Sequence, residues 1–160
     1  MELLKIDQDN RERINRFIIR QWFSMQMVVH GDSIDLGKAD GWYACEDDEI
    51  IGSVTYRITG NEMEILSLDS LRENNGIGTA LLDQALSDAR NLGLVRVRLT
   101  TTNDNLHALR YYQKRGFDII RFSFNALDEA RKIKPEIPLT GMDGIPLKHE
   151  IELELRLNKS

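Results

Sequence analysis

Two different spacings of apolar residues run along this chain, and the switches between them outline its elements. Short apolar or alternating runs predict strands at residues 3–6, 42–45, 49–59, 62–69, 94–100, 117–124 and 150–157. Alternation is sharpest in the last two inner-strand candidates. Val95, Val97 and Leu99 alternate with Arg96 and Arg98, and Ile151, Leu153, Leu155 and Leu157 point inward against Glu152, Glu154 and Arg156 outward. Helical spacing appears first in Ile14, Phe17, Ile18 and Trp22, a buried stripe on a helix that Asp7 or Asp9 caps and that runs to about Phe23. Residues 24–29 continue that helix or form a second short one, and residues 30–38 read as a loop. A second stripe, Leu81, Leu82, Ala85, Leu86 and Ala89, ends at Gly93. A third helix opens at Asn105 and stops at Gly116, and residues 126–134 form a fourth, closed by Pro135.

Turn residues connect these pieces. Asp47-Asp48 and Gly60-Asn61 join three consecutive strands as a meander, and residues 135–146 hold all three prolines in one loop. Consecutive antiparallel strands with packed helices predict an α+β fold rather than a doubly wound one. With 160 residues and no dividing linker or repeat, residues 1–160 are expected to form a single domain.

Composition narrows the function classes. The net charge is −5, from 21 basic and 26 acidic residues, which argues against a nucleic-acid partner. No apolar run approaches the roughly 20 residues that span a bilayer. The lone Cys45 excludes an internal disulfide and reads as a small buried hydrophobe, and a cytoplasmic protein is expected. His30, His107 and His149 show no metal spacing, so no metal is expected.

Two stretches carry candidate chemistry. In the first, an apolar strand runs into Glu73-Asn74-Asn75-Gly76-Ile77-Gly78, and a helix starts there. Such a turn aims free N–H groups and the positive end of a helix dipole at an anion. The same residues also read as a plain strand-to-helix turn. No Gly-Lys-Ser/Thr follows, which excludes the phosphate loop of nucleotide hydrolases, and Leu81 replaces the third glycine of the dinucleotide fingerprint. In the second stretch, Asn105, Ala108 and Tyr112 share a helix face that Gly116-Phe117 leaves; Tyr112 alone also reads as a core tyrosine.

Together, in this order and spacing, the two stretches resemble the GNAT superfamily of acetyl-CoA-dependent N-acetyltransferases. The resemblance is clear over residues 42–125. It implies a mixed, mostly antiparallel sheet of six to seven strands with helices on both faces. It implies acetyl-CoA as co-substrate and a primary amine of a small molecule or peptide as acceptor, with a homodimer as a further possibility. Cofactor contacts then fall on Leu68, Asp69, Ser70, Asn74, Asn75, Gly76, Ile77, Gly78, Thr79, Asn105, Ala108 and Tyr112. Tyr112 becomes the acid for the departing thiolate and Glu64 the base, acting through a water, with Glu64 and Asp69 on opposite strand faces by parity; Glu64 reads equally well as a solvent-facing strand carboxylate. Trp22, Met25, Met27 and His30 would roof the acceptor cleft, and Asp143 and Glu150 would meet a cationic amine. One departure stands out: Glu73 occupies a position where the family commonly carries Arg or Gln, with Arg72 or Lys114 left to supply the charge. A non-catalytic acyl-CoA-binding module of the same fold is the alternative.

Overall fold

The computed structural model describes residues 1–71 and 75–157. Arg72, Glu73 and Asn74 lie outside the described residues, so the expectations resting on them have no structural counterpart here.

Seven strands form one sheet: β1 (Glu2–Lys5), β4 (Asp40–Glu46), β5 (Glu49–Thr59), β6 (Glu62–Ser70), β7 (Arg96–Thr102), β8 (Asp118–Ser123) and β9 (Glu150–Arg156). Their spatial order is β1-β4-β5-β6-β7-β9-β8. Every neighbouring pair is antiparallel except β6 and β7, which run parallel. A separate hairpin pairs β2 (Gln26–Val29) with β3 (Asp32–Asp35). Four α-helices complete the fold: α1 (Arg11–Trp22), α2 (Ile77–Asn91), α3 (Leu106–Lys114) and α4 (Ala126–Ile133). The architecture is the α+β arrangement that the pattern predicts, and none of the described helices is long and apolar enough to cross a membrane.

The alternating strands bury both sheet faces against different layers. On one face, the α2 stripe Leu81, Leu82, Ala85 and Leu86 meets Val54, Tyr56, Met63, Ile65, Val97, Leu99 and Leu153, with Tyr112 of α3 and Phe117 closing the layer. On the other, Ile14, Phe17 and Ile18 of α1 and Val29 and Ile34 of the hairpin cover Tyr43, Ile50 and Leu66. Asp88 ties α2 to the sheet, because its Oδ2 accepts from Trp42 Nε1 and from Tyr56 Oη, each at 2.7 Å.

Residues 24–29 are not helical. Phe23 takes a left-handed conformation (φ 59°), and its N–H closes on Ile19 O, ending α1. The chain then starts β2, where Val28 and Val29 suit a strand. Residues 30–38 likewise hold β3 and a short 3-10 helix rather than only a loop. Trp22, expected in the buried stripe, is 40% exposed, and Cys45 is only half-buried against the α1-side core.

Gly52 sets how closely α2 approaches the sheet. A Cβ there would lie 2.7 Å from Asp69 O, 2.9 Å from Ile77 Cγ2 and 3.1 Å from Leu81 Cδ1. Gly52→Ala should therefore destabilise the fold by about 1–3 kcal/mol, the usual range for overpacking. Thermal melting should show a Tm lower by several degrees; an unchanged Tm would contradict the tight packing.

Candidate active site

The site forms where β6 and β7 separate. Their pairing runs from Glu62↔Arg96 to Ile65↔Leu99, yet β6 continues to Ser70 and β7 to Thr102. Beyond Ile65 the second half of β6 remains paired with β5, from Ser67↔Thr55 to Ser70↔Gly52. At the same place β6 holds one extra residue. Thr55 faces Ser67 and the next residue, Tyr56, faces Ile65, so Leu66 is a bulge.

The bulge changes which way the following residues point. Met63 and Ile65 face the α2 layer, Leu66 the α1 layer, and Leu68 the α2 layer again. Asp69 therefore shares the α1 face with Glu64, which corrects the opposite-face expectation: simple parity does not survive an inserted residue. Asp69 Oδ2 accepts from Trp22 Nε1 at 2.7 Å. Burial pushes the Asp69 carboxyl up, and the Trp22 bond opposes that shift.

The glycine turn lies at the end of β6. Gly76 caps α2 in a left-handed conformation (φ 75°) and brings no side chain to the helix start. The first bond inside it runs from Ala80 N to Gly76 O, so the N–H groups of Ile77, Gly78 and Thr79 come before the helical ladder. The Ile77 side chain is buried in the core, which leaves only its backbone facing outward. A Cβ on Gly78 would meet no atom within 4 Å. Thr79 Oγ1 lies 2.9 Å from Tyr111 Oη, joining the first turn of α2 to α3.

On α3, Asn105 is a cap: its Oδ1 accepts from Ala108 N at 3.0 Å. Ala108 is half-buried against the α2-side core. Tyr112 is buried, with Tyr111 and Phe117 packed edge-on at 5.2 and 5.3 Å. Burial pushes its phenol up, and the charge of Asp69 reinforces this.

On the α1 face, a polar cluster lies across β5, β6, β7 and β9. Glu64 Oε1 accepts from Arg57 Nε at 2.7 Å, and Glu64 Oε2 from Arg98 Nη1 at 3.4 Å. Glu150 and Glu152 stand alongside, and both are buried. Glu152 was expected to face outward, and it does lie opposite Leu153, but this sheet face is covered. His30 at the tip of the β2–β3 hairpin covers it, with Nε2 2.8 Å from Thr100 Oγ1. Asp143 sits in an exposed turn and takes no part in the cluster. Arg57, Arg98, Thr100 and Glu152 had not been singled out. The matched alternation of Arg96/Arg98 and Glu150/Glu152/Glu154 was the available signal.

The model for the acetyltransferase (GNAT) family matches residues 8–117. The chain belongs to the GNAT acetyltransferase family. A relative from Bacillus subtilis (strain 168), YxbD, is 41% identical over 154 residues, covering 96% of this chain and 97% of its own. Among solved structures, an IAA acetyltransferase from Bacillus cereus ATCC 14579 has a TM-score of 0.74 at 22% identity, covering 98% of this chain and 99% of that one. A GNAT family acetyltransferase from Elizabethkingia anophelis with acetyl-CoA bound has a TM-score of 0.72 at 19% identity, covering 98% and 97%. These structures share the GNAT fold, and family membership supports acyltransferase activity.

Burial pushes the Glu150 carboxyl above its ordinary value of 4.5, against the pull of the His30 backbone N–H and the His30 ring. Folded Glu150 thus holds its proton more tightly than unfolded Glu150. Its contribution to stability is present below 4.5 and is lost as the pH rises through the folded value. Glu150→Gln should accordingly raise Tm at about pH 8 and give a smaller gain at about pH 4. Melting curves at the two pH values check this, and an equal shift at both would contradict it.

Proposed function

We propose that this GNAT protein transfers the acetyl group of acetyl-CoA to a primary amine of a small molecule or peptide, by direct attack in a ternary complex. The observation that carries this reading is the parted end of β6 beside the uncapped start of α2. A strand edge and a row of free N–H groups suit, in sequence, a pantetheine arm carrying amides and a diphosphate. The acetyl-CoA-bound relative of the same fold supports the assignment.

Bound acetyl-CoA supplies the acetyl group on an activated thioester. Residues 66–70 of β6 offer the edge for the pantetheine amides. The Leu68 N–H donates to the carbonyl oxygen as it gains charge. The N–H groups of Asn75, Gly76, Ile77, Gly78 and Thr79 hold the phosphates, so the missing Arg or Gln at Glu73 is offset by backbone donors. Glu64 takes a proton from the incoming ammonium through a water, oriented by its bond from Arg57. Tyr112 keeps its proton at neutral pH because burial raises its phenol. The same burial makes that proton harder to give up, so its transfer to sulfur accompanies C–S cleavage rather than preceding it.

Two outcomes follow. Gly78→Val fills open space, so the apo protein should stay within about 1 kcal/mol of wild-type stability. The Tm rise caused by CoA should nevertheless disappear, and a retained rise would move the phosphates elsewhere. Tyr112→Phe should lower turnover about 10- to 1000-fold while CoA still stabilises the protein; full activity would remove Tyr112 from the chemistry. Both are read with a panel of amines, and CoA binding without transfer to any amine would favour a sensing module.

A further inference from the structure

Resting on the acetyl-transfer reading, the chemistry leaves a proton to be cleared. An ammonium acceptor must lose one proton before it can attack, and Glu64, the base, has a side chain only 4% exposed. A carboxyl so enclosed has no direct contact with bulk water through which to reset. We propose that His30 is the outlet that carries the Glu64 proton to solvent.

The geometry supports this role in three respects. His30 Nε2 stands 3.7 Å from Glu64 Oε2, a gap that one water or a small ring tilt closes, and the His30 side chain is 23% exposed. The imidazole therefore joins the buried carboxyl to the surface. Second, the ring is held. Thr100 Oγ1 lies 2.8 Å from Nε2, and the His30 N–H donates to Glu150 Oε1 at 3.3 Å. Third, carboxylates flank both ring nitrogens. Glu150 Oε1 is 3.9 Å from Nδ1 and Glu152 Oε2 is 3.9 Å from Nε2. These carboxylates on β9 and Glu64 on β6 oppose the charges of Arg57 on β5 and Arg98 on β7, whose guanidiniums bind Glu64.

The backbone places the ring on purpose-built structure. His30 and Gly31 are both left-handed (φ 53° and 77°), forming the two-residue turn between Val29 and Asp32. A non-glycine residue in this conformation is unfavourable, so the hairpin tip is held by its surroundings. Val29 and Ile34 anchor the hairpin in the core, and Lys134 Nζ donates to Gln26 O at 2.8 Å.

The proton balance is complete. The ammonium N–H bond breaks, the nitrogen keeps the electron pair, and Glu64 Oε2 gains the proton. That O–H bond breaks as Nε2–H forms. The imidazolium then gives a proton to water, which restores neutral His30 and ionised Glu64. His30 acts through Glu64 and needs no contact with the acetyl group.

The test compares His30→Asn, whose side chain tolerates a left-handed backbone, with His30→Ala. Thiol release is followed with acetyl-CoA and the best amine of a panel, and folding is read as CoA-induced thermal stabilisation. The expected result is a kcat lower by about tenfold or more in both variants, with the amine KM within about twofold. Added imidazole should restore His30→Ala in proportion to its concentration, which a merely structural role would not produce. A His30→Asn kcat equal to wild type, or a loss that imidazole leaves untouched in a protein still stabilised by CoA, overturns the outlet and leaves acetyl transfer standing. A wild-type protein that acetylates no amine overturns acetyl transfer and the outlet with it. If neither His30 variant folds, Thr100→Val decides: releasing the ring should lower kcat by about two- to fivefold, and an unchanged kcat overturns the proposal.

Discussion

The parting of β6 and β7 after Ile65 and Leu99 is the constraint on which the rest of the structure depends. Two parallel strands paired throughout would leave no room between them and no exposed edge on β6. The Leu66 bulge breaks that continuity, because an extra residue increases local twist and disrupts the ladder. α2 begins at Ile77 after left-handed Gly76, and the N–H groups of Ile77, Gly78 and Thr79 precede its helical ladder. The gap between β6 and β7 thus begins at one local irregularity in a strand.

Opening a gap inside a sheet exposes backbone and apolar surface, and two separate cores hold its walls. Leu66 and Leu68 sit two residues apart yet enter opposite layers, one under α1 and the hairpin, the other beside α2 and α3. The second half of β6 is therefore gripped from both faces although one edge has lost its neighbour. Trp22 adds a polar tie from the end of α1 to Asp69. Beyond the gap, paired arginines and glutamates line the α1 face of β6, β7 and β9. Arg96 binds Glu62 at 2.6 Å and Glu154 at 2.9 Å. Pairs this close to solvent contribute little stability each. Their consequence is a polar floor beneath the hairpin tip, where His30 Nε2 lies 2.8 Å from Thr100 Oγ1.

Much of this was legible in the residues, for physical reasons that differ by element. The α2 stripe and the Glu150–Arg156 alternation describe faces directly, since side-chain direction follows period alone. Asn105 declared itself as a cap by residue type. The β2–β3 hairpin was missed because its signal is non-local: four residues such as Gln26–Val29 become a strand only when a partner pairs with them. The bulge was missed because nothing in Ile65-Leu66-Ser67 marks an inserted residue, and the parity inference past it, Asp69 against Glu64, reversed. Alternation also showed that Glu150 and Glu152 share a face without showing that the hairpin tip covers it. Burial of a polar strand face is decided by a distant segment.

That difference explains why the two ends of the proposed site were not equally readable. The proposed cofactor end is nearly continuous in the chain, within residues 66–70 and 75–79, and its proposed donors are backbone N–H groups. Their directions are set locally by the bulge, by left-handed Gly76 and by the helix start. Short-range patterns can therefore carry it, and the family resemblance follows those patterns. The acceptor end joins His30, Arg57, Glu64, Arg98, Thr100, Glu150 and Glu152, contributed by the hairpin and by four strands. Its recognition is by side chains whose meeting depends on how separate layers pack. The acceptor of this protein must accordingly be argued from its own polar floor, where three buried carboxylates surround one imidazole, and not from the turn that precedes α2.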